Sequence, residues 1–242
     1  MSYAGQTAQK IHVFSPLAAV QSRSIDTGRK VAASASEPEG LDAVGTVCTF
    51  ARNETIFDEG QDISSSYKVV SGVVRLCRVT ADGRRQIAGF RFPGDLIGIE
   101  WTGEYEMTAE AVRDVVAVRF ARGRLERLSQ EKPAVRDHLL VHLRQDLCAA
   151  QEHLIMLGHQ TATERVASFL LSLARRVHAT DGAVIDMQLG RQDIADYLGL
   201  TLETVSRTFS DLTSQGVIAS PKRRHVVIRN MAKLKTRLFS TH

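Results

Sequence analysis

A glutamate, a serine and an arginine stand close together in the stretch ETVSR, at Glu203, Ser206 and Arg207. Residues three and four apart share one face of a helix, so these side chains would project from the same side. Arginine can donate two hydrogen bonds to guanine, glutamate can accept one from the cytosine amino group, and serine can contact several base edges. The spacing therefore predicts a helix that reads base pairs in the major groove of DNA. A surface ion pair between Glu203 and Arg207 is the alternative interpretation.

Two helices joined by a glycine would position this triplet. The first is predicted over about Arg191 to Leu198, and Gly199 then provides the left-handed backbone that a sharp turn requires. Thr201 is a good N-cap for the second helix. The residues predicted to face the core are Ile194, Ala195 and Leu198 on the first helix and Leu202, Val205, Phe209 and Leu212 on the second. A helix, a glycine turn and a helix with a polar face form the helix-turn-helix arrangement.

A basic strand–turn–strand pattern follows from Gly216 to Asn230, with Pro221 to His225 at its predicted tip. A basic tip beside a reading helix is typical of a wing that contacts phosphates, although a solvated turn is the plainer interpretation. Arg191 stands at the start of the first helix, where the helix dipole favours phosphate. The residues predicted to make backbone or secondary contacts with DNA are Arg191, Thr201, Leu202, Thr204, Lys222, Arg223, Arg224 and His225.

The positive charge of the chain is concentrated in its last third. The 242 residues carry a net charge of +4. Twelve Lys and Arg stand against seven Asp and Glu after Gln160, whereas the remainder has nineteen against twenty. This asymmetry favours a polyanion such as double-stranded DNA as the partner of the C-terminal part.

The composition excludes several classes of protein. No apolar run approaches the roughly 18 residues of a membrane helix. The first residues show no basic patch followed by an apolar core, so we expect no secretory signal. Cys48, Cys77 and Cys148 lie far apart, with no CxxC motif or Cys/His cluster. We therefore expect a cytoplasmic protein with no disulfide framework, no metal site and no cofactor. The chain has no nucleophile elbow, P-loop or paired-carboxylate site, which argues against an enzyme.

Four segments are predicted along the chain. Residues 1–44 are rich in small and polar residues and are interpreted as a flexible N-terminal extension. Residues 45–131 alternate short β-rich runs with turns, as in an antiparallel barrel or jelly roll, and Asp82-Gly83 predicts a hairpin with a tight primed turn. Residues 132–159 form a long helix. Residues 160–242 form the DNA-binding domain, whose first helix begins with the capping-box pair Thr161 and Glu164.

Apolar residues on the long helix repeat at intervals of three and four. They are Leu140, Leu143, Leu147, Ala150, Leu154 and Leu157. A two-in-seven seam is narrow and suits packing against a single partner helix. We therefore expect two copies of the chain to form a symmetric homodimer along this helix. Packing of the same helix on its own β domain is the alternative.

Taken together, these motifs resemble the CRP/FNR family of transcription regulators from Gly45 to the C-terminus. The matching stretches are IFDEGQ, VVSGVVRLCRV, DGRRQI, FPGDLIG, the dimer-type helix and RQDIADYLGLTLETVSR. The resemblance implies an α+β fold. Its parts would be an N-terminal cupin-like β-roll (jelly roll) sensor domain, a long dimerisation helix and a C-terminal winged helix-turn-helix domain.

The reading helix resembles that of the FNR branch, because Glu203, Ser206 and Arg207 match its Glu-x-x-Ser-Arg pattern and Leu202 replaces the arginine of the CRP branch. This implies a palindromic site, an inverted repeat of TTGAY half-sites about one helical turn apart. The cyclic-nucleotide binders of the family hold the phosphate with an Arg-Ser or Arg-Thr pair. Phe92 to Val112 contains five acidic residues and no Lys or Arg, so we expect no cyclic nucleotide there. The cysteine cluster of the oxygen sensors is also missing.

This combination is similar to the FixK subgroup. The resemblance implies an activator that contacts RNA polymerase and controls genes of low-oxygen respiration or nitrogen fixation. Three alternatives stay open. The β-roll could bind a ligand or haem, with possible axial ligands at Cys77, His138, His142, His153 and Met156, or Cys148 could form a redox crosslink. The winged helix could instead dock onto a protein.

Overall fold

The computed structural model describes residues 45–100, 103–222 and 224–239, together with the backbone of residues 10 and 11. These residues belong to two compact units, one that ends at Gln151 and one that begins at Glu152 and includes residues 10 and 11. Of the predicted N-terminal extension, only strand β1, Lys10–Ile11, lies within the described residues. Within the same residues, no helix has both the length and the apolar character needed to cross a membrane.

The first unit is a jelly roll of eight strands in two antiparallel sheets, which confirms the predicted β-roll. The strands are β2 Thr46–Phe50, β3 Thr55–Phe57, β4 Ser65–Ser71, β5 Val74–Val79, β6 Arg85–Arg91, β7 Leu96–Ile97, β8 Thr108–Ala111 and β9 Val115–Ala121. One sheet has the order β2-β9-β4-β7 and the other has the order β3-β8-β5-β6. The two sheets enclose a core that includes Val69, Val74, Ile97, Ala109 and Ala117, all at most 2% exposed.

Three features of this unit differ from the sequence interpretation. The β5–β6 hairpin is present, but its turn is wider than a two-residue primed turn, because Gly83 N–H donates to Thr80 O and Thr80 N–H donates to Arg84 O. Strand β8 was not predicted. Helix α1, Arg124–Glu131, follows β9 and was also missed; it buries Leu125 and Leu128.

A 27-residue helix, α2 Pro133–His159, follows α1. The remaining elements are α3 Ala162–Arg176, β10 Val184–Asp186, α4 Arg191–Leu198, α5 Leu202–Ser214, β11 Ile218–Ala219, β12 His225–Ile228, α6 Met231–Thr236 and a 3₁₀ turn Arg237–Phe239. Strands β10, β12 and β11 form an antiparallel sheet, and β1 pairs in parallel with β10. Two helices beside a small sheet with a β11–β12 hairpin constitute a winged helix-turn-helix.

Local signals explain where these helices begin. The Thr161 side chain accepts a hydrogen bond from Glu164 N–H, and the Glu164 carboxylate accepts one from Thr161 N–H, so the predicted capping box at α3 is confirmed. The Asp193 carboxylate accepts from Gly190 N–H at the start of α4. At α5 the Thr201 hydroxyl accepts from Thr204 N–H at 3.2 Å, as an N-cap residue does.

The predicted core of the two helices is correct except at one position. Ile194, Ala195 and Leu198 are fully buried on α4, and Val205, Phe209 and Leu212 are at most 4% exposed on α5. Leu202 was predicted to belong to the same stripe but is 39% exposed. It is the first residue of α5. Thr208 is buried instead, and its hydroxyl donates to Thr204 O within the helix.

Candidate nucleic-acid interface

Glu203, Ser206 and Arg207 are all exposed on one face of α5. Their neighbours Val205 and Thr208 point inward, so the helix separates a polar outer face from a packed inner face. Among the residues that the structure describes, Arg207 makes no ion pair, and the surface pair with Glu203 is not formed. The guanidinium therefore keeps its N–H donors available for an acceptor outside the chain.

The Glu203 carboxylate is held at the start of α5. Hydrogen bonds from its own backbone N–H and from the Thr201 side chain lower the pKa of Glu203 below its ordinary value. A lowered pKa keeps this exposed carboxylate ionised throughout the neutral range. It is thereby an acceptor suited to an amino group of a base.

The Gly199 turn sets the angle between α4 and α5. Gly199 has a φ of 62°, the left-handed conformation that glycine adopts without a Cβ clash. Both Gly199 N–H and Leu200 N–H donate to Ala195 O, which ends α4 tightly. The turn then leads directly to the Thr201 cap, so the predicted helix, glycine turn and helix are confirmed.

Arg191 lies inside the helix pair to a greater degree than the sequence suggested. Its guanidinium carbon is 3.4 Å from the centroid of the Phe209 ring. Burial lowers the pKa of Arg191 to about 10, so the group still carries its charge at neutral pH. The residue thus joins the start of α4 to the middle of α5.

The wing hairpin is present, and its residues differ in exposure. Lys222 is exposed in the turn, and Arg224 occupies the left-handed region with a φ of 72°. His225 lies in β12 and not in the turn, with its Nε2 4.0 Å from the Asp186 carboxylate. Arg223 lies outside the described residues. Lys222 is therefore the predicted wing contact that the structure places most openly in solvent.

The other predicted secondary contacts cluster at the start of α5. Thr201 and Leu202 are exposed and Thr204 is half-buried. The Thr201 and Thr204 hydroxyls lie 3.0 Å apart. The exposure of Leu202 offers an apolar side chain next to Glu203, as a contact with a thymine methyl group would require.

The seam on α2 is exposed over most of its length. Leu140, Leu147 and Leu154 are 53%, 59% and 73% exposed. Val141 and Ile155, which were not predicted, are also 50% and 60% exposed. Each follows a seam leucine by one position, and the exposed Cys148 continues their spacing of seven. The exposed apolar face of α2 therefore includes three positions in every seven residues, where the sequence pattern indicated two.

A cavity of about 320 Å³ lies between strands of the jelly roll and α2. Its charged lining comes from Arg91, Glu100, Glu106 and Asp146. The Arg91 guanidinium is already paired with Asp146 at 3.1 Å. Burial raises the pKa of Glu100, with a further contribution from Glu106, and one buried Glu100 oxygen has no hydrogen-bond partner among the residues that the structure describes. An anionic phosphate does not fit such a lining.

Several side chains named as possible haem ligands are held by the packing of the protein. Cys77 is buried, and burial raises its thiol pKa to about 11. His142 is buried on α2, where its Nε2 accepts from Leu96 N–H at 3.1 Å. His153 Nε2 donates to Tyr197 O at 2.9 Å. Within the described residues, no three His, Cys, Asp or Glu side chains are grouped closely enough to hold a metal ion.

Comparison with known proteins agrees with this geometry. Residues 164–237 match the Crp-like helix-turn-helix domain family, and residues 47–132 match the cyclic nucleotide-binding domain family. The chain is similar to FixK2 from Bradyrhizobium japonicum, whose solved structure has a TM-score of 0.76 and 36% sequence identity. That comparison covers 82% of this chain and 100% of the other.

Two relatives extend the comparison. The nitrogen fixation regulation protein FixK of Azorhizobium caulinodans is 44% identical over 215 residues, which is 87% of either chain. The transcriptional activator protein FnrL of Cereibacter sphaeroides is 37% identical over 194 residues, 77% of either chain. These relatives are regulators and not enzymes. The chain therefore belongs to the CRP/FNR family of DNA-binding transcription regulators and to its FixK-like group.

Proposed function

We propose that the protein binds, as a homodimer, an inverted repeat of TTGAY half-sites, and that Glu203, Ser206 and Arg207 read the base edges. The observation that supports this most strongly is their common exposure on the outer face of α5, where Arg207 forms no ion pair with any residue that the structure describes. Arg207 would donate to guanine O6 and N7, and Glu203 would accept from a cytosine amino group. Leu202 would pack against a thymine methyl group.

Contacts with the DNA backbone would fix the register of this reading helix. Lys222, together with Arg223 and Arg224, would contact phosphates from the wing. Thr201 and Thr204 would contact the strand at the start of α5, and the rim of the Arg191 guanidinium would reach a phosphate while its face stays on Phe209. His225 would act more weakly, because it already faces Asp186.

The exposed apolar face of α2 supports the homodimer. Five of its six predicted residues, all except the half-buried Leu157, present with Val141 and Ile155 a surface that is costly to leave in water. Pairing two α2 helices would bury this surface and relate two reading helices by a two-fold axis. An inverted repeat in the DNA matches that symmetry.

The regulatory role follows from the relatives by analogy. We propose activation of transcription in the cytoplasm through contact with RNA polymerase. The target genes would belong to nitrogen fixation, which the name of the Azorhizobium protein indicates for that protein, or to low-oxygen respiration. Because the cavity does not suit a phosphate, DNA binding would need no cyclic nucleotide.

A mobility-shift titration tests the proposal. The purified protein, with no ligand added, should bind a TTGAY palindrome more tightly than a scrambled duplex of equal composition. Its affinity should fall steeply with salt, because Lys and Arg release condensed counterions from the duplex. Equal affinity for the two duplexes would refute sequence reading. No shift at any salt concentration would favour a winged helix that docks onto protein.

A further inference from the structure

One arginine connects the ends of two helices at the base of the DNA-reading unit. Arg165, in the first turns of α3, donates three hydrogen bonds of 2.9 Å: Nε to Gln160 O, Nη2 to Leu157 O and Nη1 to Leu198 O. Leu157 lies in the last turn of α2, and Leu198 is the last residue of α4. Carbonyls at helix C-termini have no partner within their own helix.

The positive charge of Arg165 is also favourable at this position beside two helix C-termini. The C-terminal ends of α2 and α4 both carry partial negative charge from their helix dipoles. A guanidinium offers donors at fixed angles in one plane, so it can bind several carbonyls at once. A lysine has its donors on a single nitrogen and cannot reproduce that arrangement.

A second contact joins the same two helices one turn away. The His153 ring of α2 stacks on the Tyr197 ring of α4, with centroids 4.1 Å apart and planes 17° apart. His153 Nε2 also donates to Tyr197 O at 2.9 Å. Two successive carbonyls at the end of α4, those of Tyr197 and Leu198, are therefore bound by side chains from α2 and α3.

The turn between α4 and α5 also approaches α2 closely. Together with the contacts of Arg165 and His153, it forms a joint between the end of α2 and the helix-turn-helix. A Cβ added at Gly199 would lie 3.4 Å from Leu157 Cδ2 and 3.5 Å from Arg165 Nη1. The glycine between α4 and α5 thus lies directly against the last turn of α2. Leu154 and Leu157, which belong to the apolar seam, are on that same stretch of α2.

We propose that Arg165 and His153 are positioning residues that set the distance between the two reading helices of the dimer. They would thereby determine the number of base pairs accepted between the two half-sites. The joint connects the last turn of α2, the helix that carries the apolar seam, to the last turn of α4 in the helix-turn-helix. This inference rests on the proposed function, because it concerns the spacing of the half-sites that α5 reads.

The length of the central spacer is a sensitive readout. Each added base pair rotates one half-site against the other by about 35° and moves it by about 3.4 Å. A dimer with rigid joints should therefore bind DNA with one spacer length tightly and DNA with a spacer one base pair shorter or longer much more weakly. A dimer with loosened joints should bind its preferred spacer less tightly but lose less affinity when the spacer changes.

The test uses the full chain and a series of TTGAY inverted repeats with spacers from two base pairs shorter to two longer than the preferred one. A duplex with one intact half-site is included. Arg165→Lys should lower the affinity for the preferred repeat about tenfold, flatten the spacer profile and leave half-site affinity unchanged. His153→Ala should produce the same flattening to a smaller extent, and it provides the test if Arg165→Lys unfolds.

Arg175→Lys is the matched control, because Arg175 is also on α3 and contacts α2 through an exposed ion pair with Glu152 at 3.3 Å. It should keep the wild-type profile. An unchanged spacer profile in both joint variants, or an equal loss of affinity for every duplex, would overturn the inference. Failure of the wild-type protein to prefer any TTGAY repeat would instead refute the proposed function.

Discussion

The guanidinium carbon of Arg191 lies 3.4 Å from the centroid of the Phe209 ring. This contact links the first residue of α4 to the centre of the reading helix. A guanidinium that stacks by its face keeps N–H donors along its rim, where they can still reach a phosphate. We therefore expect Arg191 to stabilise the helix pair and to contact DNA at the same time.

Substitutions at Arg191 separate these two roles. Arg191→Ala should lower the free energy of unfolding by about 1–2 kcal/mol. It should also reduce the slope of log affinity against log salt by about one. Arg191→Lys keeps the charge but not the planar stack, so it should lower the melting temperature and preserve the salt slope. Thermal unfolding and salt titrations measure the two effects; an unchanged melting temperature in Arg191→Ala would show that the stack contributes nothing.

The wing should contribute affinity without sequence preference. Lys222→Ala should weaken binding to the TTGAY palindrome and to a scrambled duplex by the same factor, and should reduce the salt slope by about one. Arg127→Ala, which removes an exposed charge from α1, is the control. It should leave the affinity and the salt slope unchanged for both duplexes. If Lys222→Ala changed the preference between the two duplexes, the wing would have to contact bases.

Dimerisation should depend on the exposed apolar face of α2. Leu154 is 73% exposed, and an arginine there would place charge in the paired seam. Leu154→Arg should raise the dimer dissociation constant at least about tenfold and weaken palindrome binding accordingly. Sedimentation over a range of concentrations measures this. The control is Gln145→Arg, which lies on the same helix outside the apolar face and should remain dimeric. A Leu154→Arg variant that stays dimeric would contradict the assignment of the seam.

Cyclic nucleotides should have no effect on the protein. A ligand that binds the folded state raises the melting temperature, and millimolar cAMP or cGMP should leave it unchanged. The reason is the cavity lining, where the Arg91 guanidinium is paired with Asp146 and two glutamates stand nearby. A rise in melting temperature, or tighter DNA binding with cAMP, would show that this lining rearranges to accept a phosphate.

The sequence predicted the reading helix and its support because periodicity records which residues point inward. Ile194, Val205 and Phe209 are buried as their spacing indicated, and Gly199 adopts the left-handed turn. Leu202 was wrongly assigned to the buried face. It is the first residue of α5, so no earlier helical turn was present in the sequence pattern to show whether its side chain points inward. Strand β8 was missed since its stretch TAEA has one β-branched residue, Thr108, and no aromatic residue; pairing with β3 and β5 makes it a strand.

The joint around Arg165 could not be predicted for a different reason. Arg165 contacts a carbonyl 33 residues away, and His153 contacts one 44 residues away. Backbone carbonyls are the same at every position and leave no pattern in the sequence. Only the fold shows that two helix ends meet at one guanidinium. The same applies to Arg191, whose aromatic partner lies on another helix.

Base-by-base substitution of one TTGAY half-site, bound by the wild-type protein and by Arg207→Ala, tests the reading of DNA most directly. The wild-type protein should lose about 1–3 kcal/mol when the G·C pair is replaced. Arg207→Ala should bind the intact site more weakly and lose clearly less from that replacement than the wild-type protein does, with the remaining loss due to Glu203 on the paired cytosine, while keeping its preferences at the other positions. A variant that still discriminates the G·C pair as the wild-type protein does would contradict the role of Arg207 in reading it.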